Sequence, residues 1–278
     1  MSQKFKSPET LLFSAGSPGT NGHIEKLYLL THYNTTFPRS TSDVVSNLPM
    51  LTHPMWNVIV QSMNSPLANG SFYHIYNRGV EKRSIFQKPE DYQRFLVKLD
   101  YYRYHPIPRK LSIHLRFDLP SPSVDEKNQQ VRIIAFCLMP NHFHLLIEQL
   151  RDGGISTFIR KISDSYTRYF NTKYERIGAL FQGKFKAKLI ESDEYLLQLS
   201  KYIHRNPMLL PMWKNRLSEY TFSSYPGYLN PKRNIQFCEY KTVLDFFGKS
   251  KSLSYQSFVE ETEEIPLPEN LFIDMDLA

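Results

Sequence analysis

The 278-residue chain has only two cysteines, Cys137 and Cys238. Two thiols cannot build the disulfide framework that staples small secreted domains. Cys137 lies in an apolar run, where a buried thiol is expected. The setting expected for such a chain is reducing and cytoplasmic. Long apolar runs are also missing. No stretch approaches the roughly 20 residues needed to span a bilayer, so no membrane partner is expected. The one early apolar run, Leu11 to Phe13, is too short for a secretory signal. An acidic balance is absent as well: the formal net charge is +7, which favours a polyanionic partner.

The composition, 41% hydrophobic and 22% charged, is that of a folded globular chain. The length suits one domain with extra segments, or two small domains. Aromatic residues are plentiful, with 18 Tyr and 19 Phe. Such rings fill cores, and they also stack on unpaired bases; composition does not separate the two uses. The positive charge is concentrated. Between Arg151 and Arg216 there are thirteen basic and six acidic residues, a surplus equal to that of the whole chain.

Residues 1–68 show no sustained period of 2 or 3.6 and no motif. They are expected to form a poorly ordered N-terminal extension. From Ser71 onward the pattern is regular. Phe72 to Asn77 reads as a strand, followed by a turn at Asn77-Arg78-Gly79. Pro89 to Tyr104 reads as a helix, with Pro89 in the first turn. A short strand is possible at Leu111 to Phe117. Val131 to Met139 is a continuous run of β-formers, expected as a buried strand, and Pro140-Asn141 turns into a return strand, His142 to Gln149. Ile155 to Tyr174 has helical spacing. Lys184 to Ile190 alternates Lys184, Lys186 and Lys188 with apolar residues, which predicts a strand with one wet, basic face. A last helix is expected from a cap at Asp193 to Asn206, stopped by Pro207. This β-α-β-β-α-β-α order predicts an α+β sandwich with helices packed on a mainly antiparallel sheet. The expected domain spans 69–210, with a C-terminal extension over 211–278.

Two clusters carry chemistry. His142 and His144 are two apart on a strand, so both imidazoles share one face and Phe143 and Leu145 the other. Two imidazoles on one face suit a divalent metal but need a third ligand from elsewhere. Tyr202 and Asn206 are four apart on the last helix and share a face. Asn206 offers a carbonyl oxygen suited to a hard ion, and Tyr202 offers a phenol able to attack a polarised phosphate. The absence of cysteine from this set argues against structural zinc.

These residues sit in five blocks: Phe72 to Gly79, Met139 to His144, Tyr166 to Asn171, Leu180 to Lys186 and Tyr202 to Pro207. Taken together and in order, over about residues 71–208, they resemble the single-tyrosine HUH transposases, and within them the REP-associated tyrosine transposase branch. The resemblance implies a ferredoxin-like HUH nuclease fold. It implies His142 and His144 as paired metal ligands, with Asn206 in the third place, which other members fill with Gln. It implies Tyr202 as the nucleophile that becomes joined to a 5′-phosphate. The expected ion is Mg²⁺ or Mn²⁺, and the expected substrate single-stranded DNA near an imperfect hairpin. The protein would act as a monomer or a homodimer. Lys184, Lys186, Lys188, Arg168 and Arg78 are then candidates for the DNA path.

Two other readings use the same residues. A binding module would hold hairpin DNA or RNA by stacking and phosphate contacts without cutting. A hydrolase would let the histidine pair activate water, with Glu148 as the one same-face candidate base.

Overall fold

The computed structural model describes residues 67–107, 109–116, 126–233, 235–248 and 251–261. Nearly all of the expected N-terminal extension, and the end of the chain after Glu261, lie outside these residues. Four strands form one sheet: β1 (Phe72–Arg78), β2 (Val131–Met139), β3 (His142–Gln149) and β4 (Lys186–Ile190). Their order is β2-β3-β1-β4, and every neighbouring pair is antiparallel. With α1 (Pro89–Tyr102) between β1 and β2 and α3 (Gly154–Lys173) between β3 and β4, this is the split β-α-β arrangement of ferredoxin-like folds. The expected α+β sandwich is therefore observed. Among the described residues no helix is long and apolar enough to cross a membrane.

Strand alternation sorts the two faces. Phe143, on one face, packs against Phe95 of α1 and Phe181. Phe95 in turn meets Tyr166 of α3. So α1 and α3 cover the face that carries Phe143, Leu145 and Ile147. The opposite face carries His142 and His144 and is covered by α4 (Asp193–Arg205). Both ends of the β2–β3 hairpin fall where the apolar runs predict, because each strand is a buried run closed by Pro140-Asn141.

Four expectations need correction. Leu111 to Phe117 is not a strand: Leu111–Arg116 is a short helix, α2. Leu111 and Leu115 are four apart, and only Leu111 is buried, the pattern of one helical turn laid on a surface. Asn77 and Arg78 continue β1, and the chain turns only after Gly79. A Cβ on Gly79 would collide with the Arg83 carbonyl, so the close turn requires glycine. The cap of α4 is Ser192, whose extended backbone lets its Oγ accept from the Tyr195 N–H at 3.2 Å; Asp193 sits in the first turn. Finally, β4 begins at Lys186, and its faces are not simply wet and dry. Ala187 and Leu189 are exposed while Lys188 is half-buried, because β4 is an edge strand left open on the α1–α3 side.

The C-terminal extension closes the other edge. Leu138 N–H donates to Phe222 O and Ser224 N–H to Phe136 O, continuing the ladder beyond β2. Tyr220 Oη donates to Leu138 O at 2.6 Å, and Tyr228 Oη to Ile134 O at 2.9 Å. This segment, with the short helices α5 (Tyr225–Leu229) and α6 (Lys241–Leu244) and the final helix α7 (Lys251–Glu260), hides an otherwise exposed strand edge. Cys137 and Cys238 are both free and buried.

Candidate metal and tyrosine site

β3 lies inside the sheet, between β2 and β1, so His142 and His144 are not an exposed edge pair. They are 3% and 0% exposed. Register brings β1 alongside: Tyr76 pairs with His144 and Arg78 with His142. α4 crosses above. Tyr202 stands edge-on to His144, with ring centroids 5.4 Å apart. One turn later, at the end of α4, Asn206 Oδ1 lies 3.3 Å from His142 Nε2. All four residues come from one chain.

Hydrogen bonds set the donor chemistry. The Nδ1–H of His142 donates to Asn141 Oδ1 at 2.6 Å. A neutral imidazole has one N–H, so Nε2 then carries a lone pair. Asn206 Nδ2 donates to the Tyr202 carbonyl at 3.0 Å, which turns Oδ1 toward His142. Two acceptors thus face each other, a pairing that a cation between them would satisfy. Two cis ligands of a small divalent ion, each bound at about 2.1 Å, sit roughly 3 Å apart. The observed 3.3 Å fits that spacing. Burial keeps both imidazoles neutral, the ligating form. It pushes His142 down to about 4, opposed by the hydrogen bond that a protonated Nε2–H would donate to Asn206 and helped by Arg78. It pushes His144 well below its ordinary value, with His142 and His74 adding to the effect. Among the described residues no three His, Cys, Asp or Glu side chains converge as a metal cluster; the candidate set is two imidazoles and an amide.

The sequence reading missed His74. It is 1% exposed, and its Nε2 shares a 2.9 Å hydrogen bond with His144 Nδ1. Burial, then the Lys188 charge, lowers it to about 3. A ring nitrogen bonded this way fixes the orientation of the neighbouring imidazole, as partners of metal-bound histidines do. The available signal was alternation: His74 and Tyr76 share a face of β1, and that face meets β3. His204, within the Tyr202 block, does not point into the site. It meets Tyr255 Oη at 2.6 Å and Ser224 Oγ at 2.8 Å, holding α4 to the C-terminal segment.

The candidate DNA residues divide. Lys186 and Lys188 pair with Tyr76 and His74 across β1, on the face of the histidines. Lys184 is exposed just ahead of β4. The Lys188 ammonium is turned inward, 5.6 Å from the Tyr195 ring. Arg78 lies at the His142 end, with its Nε donating to Gln182. Arg168 is elsewhere: it lines a cavity between α1 and α3 on the other side of the sheet. Glu148 is also remote, four strand residues (roughly 13 Å) beyond His144, and is ion-paired with Arg132. Three tyrosines near the motif blocks in sequence, Tyr166, Tyr169 and Tyr174, are committed to other contacts. Tyr166 donates to Ile85 O, and Tyr169 and Tyr174 donate to the Asp91 carboxylate.

Residues 123–206 match the family model described as "Transposase IS200 like". Over this segment the chain is similar to the IS200-like transposases. The segment holds both histidines, Tyr202 and Asn206, and ends on the last of them. No curated protein matches the chain. Among solved structures it is similar to a REP-associated tyrosine transposase bound to a REP hairpin, at 15% identity and a TM-score of 0.41, over 63% of this chain and 88% of that one. His74 lies outside the matched segment but is brought to it by the β1–β3 pairing.

Proposed function

We propose that this protein is a metal-dependent endonuclease and strand transferase. It cleaves and rejoins single-stranded DNA at hairpin-associated sites through a covalent 5′-phosphotyrosine at Tyr202. The observation that carries the reading is the packing of Tyr202 edge-on to His144 with Asn206 one helical turn away, inside the segment similar to the IS200-like transposases. His142, His144 and Asn206 would hold Mg²⁺ or Mn²⁺. When bound, that ion supplies Lewis-acid polarisation of the scissile phosphate.

The residues divide the remaining work. His74 holds His144 in one orientation, and Asn141 does the same for His142. The Tyr202 phenol gives up its proton to solvent, and its oxygen attacks phosphorus. A Tyr–O–P bond forms, the bond from phosphorus to the 3′-oxygen breaks, and that oxygen leaves as a 3′-hydroxyl after taking a proton. The phosphodiester is conserved as a phosphotyrosine, so a second 3′-hydroxyl reverses the step and rejoins a strand. Lys184 and Lys186, exposed beside the site, receive backbone phosphates, which makes binding weaken as salt rises.

A labelled single-stranded hairpin oligonucleotide with Mn²⁺ tests the reading. Cutting that stops with chelator supports it. A footprint that survives chelator, with no cut product at any metal concentration, would replace it with a binding module.

A further inference from the structure

Across the sheet from Tyr202, α1, α3 and the segment carrying α2 line a cavity of about 620 Å³, a size that suits a small ligand. Three segments line it, and the one before α2 adds Arg109 and Lys110. Arg94 and Lys98 come from α1, and Lys161, Ser165 and Arg168 from α3. Among its described lining residues the only carboxylate is Asp164, which is exposed. Lys98 is 2% exposed, and its Nζ donates to Ser165 Oγ at 2.9 Å. It forms no ion pair among the described residues. The Arg94 guanidinium lies 5.1 Å over the Tyr169 ring, and its buried Nε meets no hydrogen-bond acceptor.

A buried cation without a counter-charge is costly, so such groups are normally paired. Here two further cations press on the same lysine. Burial, then Arg94, then Arg168, lowers the Lys98 ammonium to about 8. The fold gathers like charges where it could have placed a carboxylate, and an anion entering the cavity would relieve each of these deficits. The donor mix specifies which anion. Guanidinium forks grip the oxygens of phosphate in pairs, and a lysine beneath them adds a compact point charge.

We propose that this cavity binds a phosphate-bearing ligand, with Lys98 at its base and Arg94, Lys161 and Arg168 at its walls, as a site separate from the tyrosine centre. The same chemistry is met in a free polyphosphate and in the backbone of a DNA strand. Because the cavity and Tyr202 lie on opposite faces of the sheet, this proposal stands or falls by binding, independently of cleavage.

The test is titration calorimetry of the full chain with inorganic pyrophosphate, and separately with a hairpin oligonucleotide, at constant ionic strength. The variants are Lys98→Met, Arg168→Gln and the Arg94→Gln/Arg168→Gln pair. The expected result is pyrophosphate binding that weakens at least tenfold in Arg168→Gln and further in the pair, with Lys98→Met as damaging as the pair. Should DNA be the natural source, the hairpin displaces pyrophosphate and loses affinity in the same variants. If the hairpin binds without displacing it, the site takes free phosphate compounds. Arg168 is exposed, so its variant decides the matter even if Lys98→Met does not fold. Wild type that binds neither probe, or binding equal in wild type and the double variant, overturns the proposal.

Discussion

The two faces of the sheet are built from the same four strands and put to opposite uses. On the α1–α3 face, Phe143, Leu145 and Ile147 meet Phe95 and Tyr166 in an apolar core. Beneath it Asp91 is fully committed, accepting from Tyr169, Tyr174, Lys173 and the Gln87 and Lys88 backbone. On the α4 face, alternate residues of the same strands are imidazoles, and the His142 and Asn206 acceptors face each other. Asp91 ties α1 to α3, whereas the other face keeps acceptors converging as a cation would need. A one-residue slip of β3 would exchange these roles completely.

That contrast can be broken from either side. The largest effect is expected on the α4 face: His142→Ala or His144→Ala should lower metal-dependent cleavage by about a thousandfold, since a metal contributes several kcal/mol to the transition state. The melting temperature should change far less than the rate. Next, His74→Ala should cost roughly 10–100-fold in cleavage or metal affinity by releasing His144. More added Mn²⁺ should recover part of the loss, which a purely structural role would not allow.

The α1–α3 face should respond in stability instead. Burial alone would raise the Asp91 carboxyl, but hydrogen bonds from Lys173, Tyr174 and the Gln87 and Lys88 backbone hold it down at about 2. A carboxylate with a lowered folded-state value contributes stability above its unfolded value of 3.8, and that stability is lost as pH falls from there toward 2. Asp91→Asn should therefore cost about 2 kcal/mol near neutrality and flatten the acid limb of a urea-denaturation profile between those values. The smallest effect is expected at the surface. Lys186→Gln should leave stability unchanged and reduce the salt slope of DNA binding by about one unit.

Much of this was legible in the sequence. The strand and helix bounds from Val131 to Lys173 follow from continuous apolar runs, helical spacing and Pro140-Asn141, which are local signals. The motif blocks singled out both His142 and Asn206, and the fold brings His142 Nε2 to 3.3 Å from Asn206 Oδ1. What was not legible depended on pairing between distant segments. His74 becomes part of the site only through the β1–β3 register. Arg168 is basic and near the motif in sequence, yet its helix faces away. The Tyr220–Tyr228 segment has no repeating period because it caps a strand edge through individual hydrogen bonds: Tyr220 and Tyr228 donate to Leu138 O and Ile134 O, and Ser224 Oγ accepts from Phe136 N–H. Leu111 to Arg116 is too short for periodicity to distinguish strand from helix.

The most direct measurement is mass spectrometry of the protein after reaction with a single-stranded hairpin oligonucleotide and Mn²⁺, comparing wild type with Tyr202→Phe. Attack by Tyr202 requires a phosphodiester-linked nucleotide on the peptide carrying that residue in wild type and no adduct in the variant. An adduct formed by Tyr202→Phe at the wild-type rate, or one mapped to Tyr166, Tyr169 or Tyr174, would contradict it.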